Sequence, residues 1–391
     1  MRVLFTSTPA YGHLQPMLPL ARALKGAGDD VAVAIAPEFI PRVQAAGFTA
    51  LPTGNDTSEW WPELARRHPG EPWNKLLPEQ ILQWFWPNLF VDIGAAAMLR
   101  DLVPVAAAWR PDLLIYETFE LAGPIAAALS SIPSVHHTLS PLPTSDAMRL
   151  AGEAATRLWH EQGLEPEPLG GLQRDLCVDI CPPSLRNPNA APIDRVEPLR
   201  PVPVAVVGAE ELPPAMRTLR DQPTVHATLG TSATNADQAV LATVIEGLRD
   251  DALNIVVTVG PDRDPAALGR QPSNVIVERY LPHALLLPLC ALVISHGGAG
   301  TMLAALSNGL PLLTVPQGAD QYLNAEACDR RGVGRTVVTG DLSAARVGTE
   351  VRTILDDPGY RTRAQEVQAE IAAMPAPEDI VGTLHYHAAH E

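Results

Sequence analysis

Short β-branched runs alternate along this chain with Ala- and Leu-rich stretches of helical pattern, and that alternation limits the fold more than any other feature. Residues 2–5, 31–35, 113–116 and 134–137 read as strands, and 17–24, 39–46 and 122–129 read as the helices between them. Parallel neighbours need a crossover, which a helix supplies, so the pattern predicts parallel sheets wrapped by helices. Prolines at 198, 201, 203, 213, 214 and 223 then interrupt the pattern. Each lacks an N–H and has a fixed φ, which excludes a continuous helix or central strand there. The alternation restarts with a strand at 224–229, a helix at 238–248 and strands at 254–259 and 292–295. Length agrees with two halves, since 391 residues make about 2.6 domains of usual size. The expected bounds are 1–203 for the first α/β domain, 204–222 for the linker and 223–370 for the second domain. A last helix, 371–391, is expected to pack back on the first.

Composition narrows the partners. At 46% hydrophobic and 18% charged, the chain can build proper cores. Its net charge of −16 would repel a phosphate backbone, which excludes nucleic acid as the expected partner. Cys177, Cys181, Cys290 and Cys328 show neither a Cys-x-x-Cys pair nor zinc-site spacing, and read as free thiols in a reducing compartment. The apolar start, Met1 to Phe5, gives way to Thr6-Ser7-Thr8-Pro9 before a signal-peptide core can develop. The longest apolar stretch, 284–294, is broken by Pro288 and is too short to cross a bilayer. The expectation is a cytoplasmic protein with no membrane partner. Oligomeric state stays open, with a homodimer allowed.

Three segments could carry chemistry. Ser295-His296-Gly297-Gly298-Ala299-Gly300-Thr301 follows an apolar strand and opens a helix, so bare amides meet a helix N-terminus, where the peptide dipoles favour an anion. It matches neither the dinucleotide fingerprint nor a Walker loop, and a plain strand-to-helix turn is the lesser alternative on spacing alone. Downstream, Asp320 and Gln321 follow the strand 312–315 and precede the helix 322–330. They offer acceptors and a donor suited to sugar hydroxyls, though an N-cap is the ordinary use of such an Asp. Near the amino end, Thr8 to His13 reads as a loop between the first strand and a helix beginning near Pro16. His13 would stand at the carboxyl edge of the sheet, where imidazole is suited to proton abstraction, though a lone histidine is more often a capping or packed residue. Glu117 ends the strand 113–116 and would reach the same edge, with Glu120 a weaker substitute. Trp60, Trp61, Trp73, Trp84 and Trp86, with Phe85 and Phe90, read either as a satellite core or as the lining of an apolar acceptor pocket. Asp262-Arg263-Asp264 spells the Asp-x-Asp of metal-dependent sugar transfer, but Asp264 before Pro265 reads as a helix N-cap.

Taken in order, Arg279-Tyr280-Leu281-Pro282-His283, the Gly-rich block 295–301 and Pro316 to Ala325 resemble the donor-binding signature of nucleotide-sugar-dependent glycosyltransferases of the GT-B fold. The resemblance is to the bacterial antibiotic-tailoring branch related to UDP-glycosyltransferases, and it covers nearly the whole chain. It implies two Rossmann-like α/β domains facing across a cleft, the first for the acceptor and the second for the donor. It implies that Tyr280 stacks on the nucleobase and that the Leu281 backbone pairs the base edge. His296, Gly298, Ala299, Gly300 and Thr301 would hold the diphosphate, helped by Thr231 and Ser232. Asp320 and Gln321 would contact the sugar, His13 would be the general base and Glu117 its acidic partner. Trp60, Trp61, Trp84, Phe85 and Phe90 are the acceptor-lining candidates. Two positions depart from the family: His283 stands where Gln is usual, and Glu117 where Asp is frequent.

The implied reaction is an inverting transfer from a dTDP- or UDP-linked sugar to a hydroxyl of an apolar aglycone, with no metal and no cofactor. Three rivals stand beside it. An activated aromatic carbon could be the nucleophile, giving a C-glycoside. A sugar-nucleotide epimerase would need no acceptor. A non-catalytic sugar-nucleotide-binding partner protein would bind donor without turnover.

Overall fold

A computed structural model describes the chain except residues 71–74, 204–210, 231–237 and 261–262, with backbone alone at 217 and 218. Trp73, Thr231, Ser232, Asp262 and part of the expected linker lie outside the described residues. The chain divides into two compact units. The first comprises 1–181, 187–200 and 374–391, and the second comprises 182–186 and 201–373.

The first unit holds a seven-stranded parallel sheet: β1 Arg2–Thr6, β2 Asp30–Ile35, β3 Thr49–Pro52, β4 Leu113–Glu117, β5 Ser134–His137, β6 Leu176–Asp179 and β7 Val196–Pro198. Their order is β3-β2-β1-β4-β5-β6-β7, all parallel. The middle strands are almost continuous apolar runs because helices cover both faces. Leu4 and Leu114 are wholly buried and pack with Ile125 and Met148 in the main core of the unit. The second unit repeats the plan with six strands: β8 Thr224–Thr228, β9 Asn254–Thr258, β10 Val275–Glu278, β11 Leu292–Ser295, β12 Leu312–Thr314 and β13 Gly334–Thr336. Their order is β10-β9-β8-β11-β12-β13, again parallel.

In both sheets the chain order reverses once, between β1 and β4 and between β8 and β11. The loops leaving these strands diverge at the reversal, which opens a crevice at their carboxyl ends. The residues expected to do chemistry leave from those four strands or lie one crossover away.

The C-terminal helix, Val381–His390, belongs to the first unit. His385 Nε2 lies 2.8 Å from Asp29 Oδ2, and the other oxygen of Asp29 accepts from the Met1 amino group at 2.8 Å. His387 Nε2 lies 3.1 Å from the Ser134 carbonyl. Among the described residues no helix is long and apolar enough to cross a membrane.

Candidate active site

His13 stands in the first turn of the helix Tyr11–Gly26, not in a loop before Pro16 as the sequence suggested. Pro16 and Pro19 both lie inside that helix, and the amides of His13 and Leu14 bond back to the Ala10 carbonyl. A rigid element therefore carries the imidazole. Its Nδ1 lies 2.9 Å from Glu117 Oε1, at the end of β4. Glu117 is wholly buried and also accepts from the Thr8 amide at 3.1 Å and the Phe119 amide at 2.7 Å. Burial works to raise its pKa. The charge and hydrogen bond of His13 and the two amides outweigh burial, and Glu117 sits below its ordinary value. An ionised carboxylate only accepts, so Nδ1 of His13 carries the hydrogen and Nε2 keeps its lone pair. A buried acid thus holds the imidazole in the tautomer a general base needs.

Glu120 does not share this site. It accepts from Thr6 Oγ1 at 2.6 Å and from the Ala122 and Gly123 amides at 2.8 and 3.0 Å, which cap the helix Ala122–Ser130. Burial pushes its carboxyl up to about 7 even against those donors.

The aromatic candidates separate. Phe90 lies nearly parallel to the His13 ring, 6.0 Å between centroids and 21° between planes. It comes from a π-helical stretch, Trp86–Ala95, whose wider turn re-aims side chains and is often found at functional sites. Phe119, which sequence reasoning missed, meets His13 edge-on at 5.4 Å and also touches Phe90 and Trp86. Trp86 is wholly buried, and Trp60 is buried with Leu64, Leu89 and Ile93 while its indole donates to the Asn55 carbonyl. These two are packing residues. Trp61 is 42% exposed and meets Phe85 edge-on, and Phe85 meets Trp84 in the same manner. Only its position two residues after Glu117 hinted at Phe119, because its contact with His13 depends on how β4 sits beside β1.

In the second unit the Gly-rich segment makes the expected turn. Gly298 is the extended N-cap of the helix Ala299–Ser307, and among the described residues no side chain caps that helix end. A β-carbon at Gly300 would meet nothing within 4 Å, so the first turn has open space beside it. His296 is packed between glycines: a β-carbon at Gly298 would lie 2.4 Å from its Nε2, and one at Gly230 2.7 Å from its Cε1. Among the described residues its Nδ1 has no hydrogen-bond partner although it is buried, and burial pushes the imidazole down to about 4. Bare amides at a helix N-terminus favour an anion, and a neutral histidine packs against them here.

Asp320 begins the helix Gln321–Arg331 after Ala319, whose φ of +53° is left-handed. That conformation costs a residue bearing a β-carbon about 1–2 kcal/mol. The surrounding hydrogen bonds hold it: Gln321 is buried and its Oε1 accepts from the Gln317 and Gly318 amides at 2.8 and 3.3 Å. The Gln321 oxygen is therefore committed to the loop, and Asp320 Oδ2 accepts from Asn324 Nδ2 at 3.0 Å. Tyr280 is 38% exposed after β10, whereas the Leu281 side chain is buried, which leaves that residue's backbone as its contribution. His283 packs edge-on against the buried His226 of β8 at 5.4 Å, and burial lowers both imidazoles. Asp264 caps the turn Pro265–Leu268 by accepting from the Ala266 amide, as its spacing suggested. Among the described residues no group of three or more His, Cys, Asp or Glu is placed to hold a metal ion.

Comparison with known proteins agrees with both halves. Residues 22–204 match the N-terminal domain of erythromycin biosynthesis protein CIII-like proteins, and residues 242–386 match the C-terminal domain. The chain is 34% identical to the L-demethylnoviosyl transferase of Streptomyces niveus, over 96% of each chain. It is 31% identical to the elloramycin glycosyltransferase ElmGT of Streptomyces olivaceus, over 98% of this chain and 97% of that one. Among solved structures, the glycosyltransferase VinC in complex with dTDP superposes with a TM-score of 0.78 at 27% identity, covering 100% of both chains. The spinosyn rhamnosyltransferase SpnG complexed with thymidine diphosphate gives 0.81 at 28% identity, covering 98% of this chain and 100% of that one. Fold and relatives define a bacterial natural-product glycosyltransferase with the GT-B fold. The chain belongs to the erythromycin biosynthesis protein CIII-like family.

Proposed function

We propose that the protein transfers a sugar, with inversion, from a nucleoside diphosphate sugar to a hydroxyl of an apolar natural-product aglycone. The observation that carries this reading is the His13–Glu117 pair: a buried, ionised carboxylate 2.9 Å from Nδ1 holds the hydrogen there and leaves the basic lone pair on Nε2. The acceptor hydroxyl gives its proton to His13 Nε2 as its oxygen bonds to the anomeric carbon. The bond from that carbon to the diphosphate breaks, and its electron pair leaves on the phosphate oxygen. The helix N-terminus at Gly298 to Thr301 and the His296 imidazole stabilise the departing charge without a metal in this reading. Phe90 and Phe119 beside His13 favour an apolar acceptor. Thymidine diphosphate in the VinC and SpnG complexes supports a dTDP-linked donor ahead of a UDP-linked one.

His13→Ala tests this. The variant should bind nucleoside diphosphate as the wild type does, while transfer falls by about 10²- to 10⁴-fold, the usual contribution of a general base. Near-normal turnover in that variant would remove His13 from the role. Retained donor binding with no transfer by the wild type towards any acceptor would favour the non-catalytic reading.

A further inference from the structure

We propose that Asn324 is a positioning residue that locks the sugar-side carboxylate, Asp320, in register with the diphosphate turn. The inference rests on the donor-site reading above. Asn324 lies in the first turn of the helix Gln321–Arg331 and is completely buried. Its Nδ2 donates to the Gly297 carbonyl at 2.9 Å and to Asp320 Oδ2 at 3.0 Å. Both hydrogens of one amide nitrogen are thereby used on two different loops. The opposite amide orientation would set its oxygen against two acceptors, so the partners fix the rotamer. The cost is visible, because Asn324 Oδ1 is buried with no hydrogen-bond partner among the described residues. A buried polar atom left unmet in a packed helix is tolerated where the rest of the group gives something in return.

The bond to Gly297 aims a ligand-facing amide. A peptide unit is planar and trans, so its C=O and N–H point in opposite directions. Pinning the Gly297 carbonyl onto Asn324 therefore turns the Gly298 N–H away from that helix and towards the uncapped end of Ala299–Ser307. The neighbouring peptide is fixed from its other side, since the Gly297 amide donates to Ser295 Oγ at 3.1 Å. Gly297 has a φ of +84°, and a β-carbon there would lie 3.0 Å from the Gln321 carbonyl, so the turn sits directly on the helix that carries Asp320. The bond to Asp320 fixes one carboxylate oxygen and with it the plane of the other. A single side chain thus sets the distance between the diphosphate amides and the sugar contact.

The test is a thermodynamic cycle on Asn324→Ala and Asp320→Ala, singly and together, read by calorimetric titration with thymidine diphosphate and with TDP-glucose. Asn324→Ala should weaken thymidine diphosphate by about tenfold, the loss of one oriented donor, and TDP-glucose by about tenfold more. In the Asp320→Ala background the extra loss for TDP-glucose should vanish while the loss for the bare nucleotide remains. Equal weakening of both ligands with Asp320 intact would overturn the proposal and leave Asn324 as a support for the turn alone; so would unchanged binding of both. Asn324→Asp keeps the shape and replaces the donor by an acceptor, so it should show the same split if the alanine variant does not fold. Failure of the wild type to bind either ligand would instead overturn the donor-site reading.

Discussion

Glu117 shows how much one side chain decides. It accepts from two backbone amides and from His13 with no water access. Glu117→Gln turns one of its acceptors into a donor, so a buried N–H must face an NH₂. The expected outcome is a stability loss of about 1–3 kcal/mol in urea melts, from the unmet amide. Transfer should also fall by about a hundredfold or more, as His13 loses the partner that fixes its tautomer. A melt unchanged within error would show that the amides do not depend on the carboxylate. Since Glu117 is held below its ordinary 4.5, its contribution is present above that pH and is lost as pH falls towards the folded value. Glu117 and His296 were legible in the sequence because one ends a strand and the other follows one at a glycine turn, while His13 was legible as following β1 but not as helical. Phe119 and Asn324 were not, since their meaning lies in contacts with residues far away in the chain or across a turn. Trp60 stayed an acceptor-lining candidate beside the satellite-core alternative because sequence alone cannot tell a buried indole from an exposed one.

At the scale of elements, alternation revealed the parallel sheets but not all their strands. The sequence reading passed over β3, β6, β7, β10 and β13. They are short, 3 or 4 residues each, and too brief to show a period. β7 also ends on Pro198, which an edge strand tolerates and a central one does not. The helix of His13 began earlier than expected because prolines inside it look like a boundary. Its neighbours hold it instead. The glycine turn after β11 makes a sharper prediction. A β-carbon at Gly298 would collide with the His296 ring, so Gly298→Ala should weaken thymidine diphosphate by about tenfold or more, one oriented contact being worth that much. The first unit should be unaffected, as read by the near-ultraviolet signal of its tryptophans. In the π-helical stretch, a β-carbon at Gly94 would lie 2.7 Å from the Trp60 ring. Gly94→Ala should cost about 1–3 kcal/mol by overpacking, seen in thermal melts, and should disturb Phe90 and so acceptor KM more than donor KM.

For the whole molecule, the buried histidines set the response to acid. Burial lowers His136 and His226 to about 3, and His137 and His296 to about 4, against an ordinary 6.5. A base whose pKa is depressed on folding contributes stability that is full above its unfolded value and lost as pH falls. Unfolding near pH 5 should therefore take up several protons, with each unit of the chain carrying two of these imidazoles. Glu120 acts in the opposite sense, since its raised value favours the folded state as pH falls from about 7 towards 4.5. The histidines outnumber it, so urea melts from pH 7 to 4.5 should show stability falling steeply below pH 6.5. A flat profile would mean that these side chains reach solvent in the folded protein.

The reading of the second unit turns on whether the uncapped turn at Gly298 to Thr301, with His296 against it, takes up a nucleoside diphosphate. Differential scanning calorimetry with thymidine diphosphate, thymidine and no ligand asks this directly. At a hundredfold excess over Kd the diphosphate should stabilise the folded protein by about 2.7 kcal/mol, and thymidine alone should do far less. Identical melting in all three would contradict the account at its base.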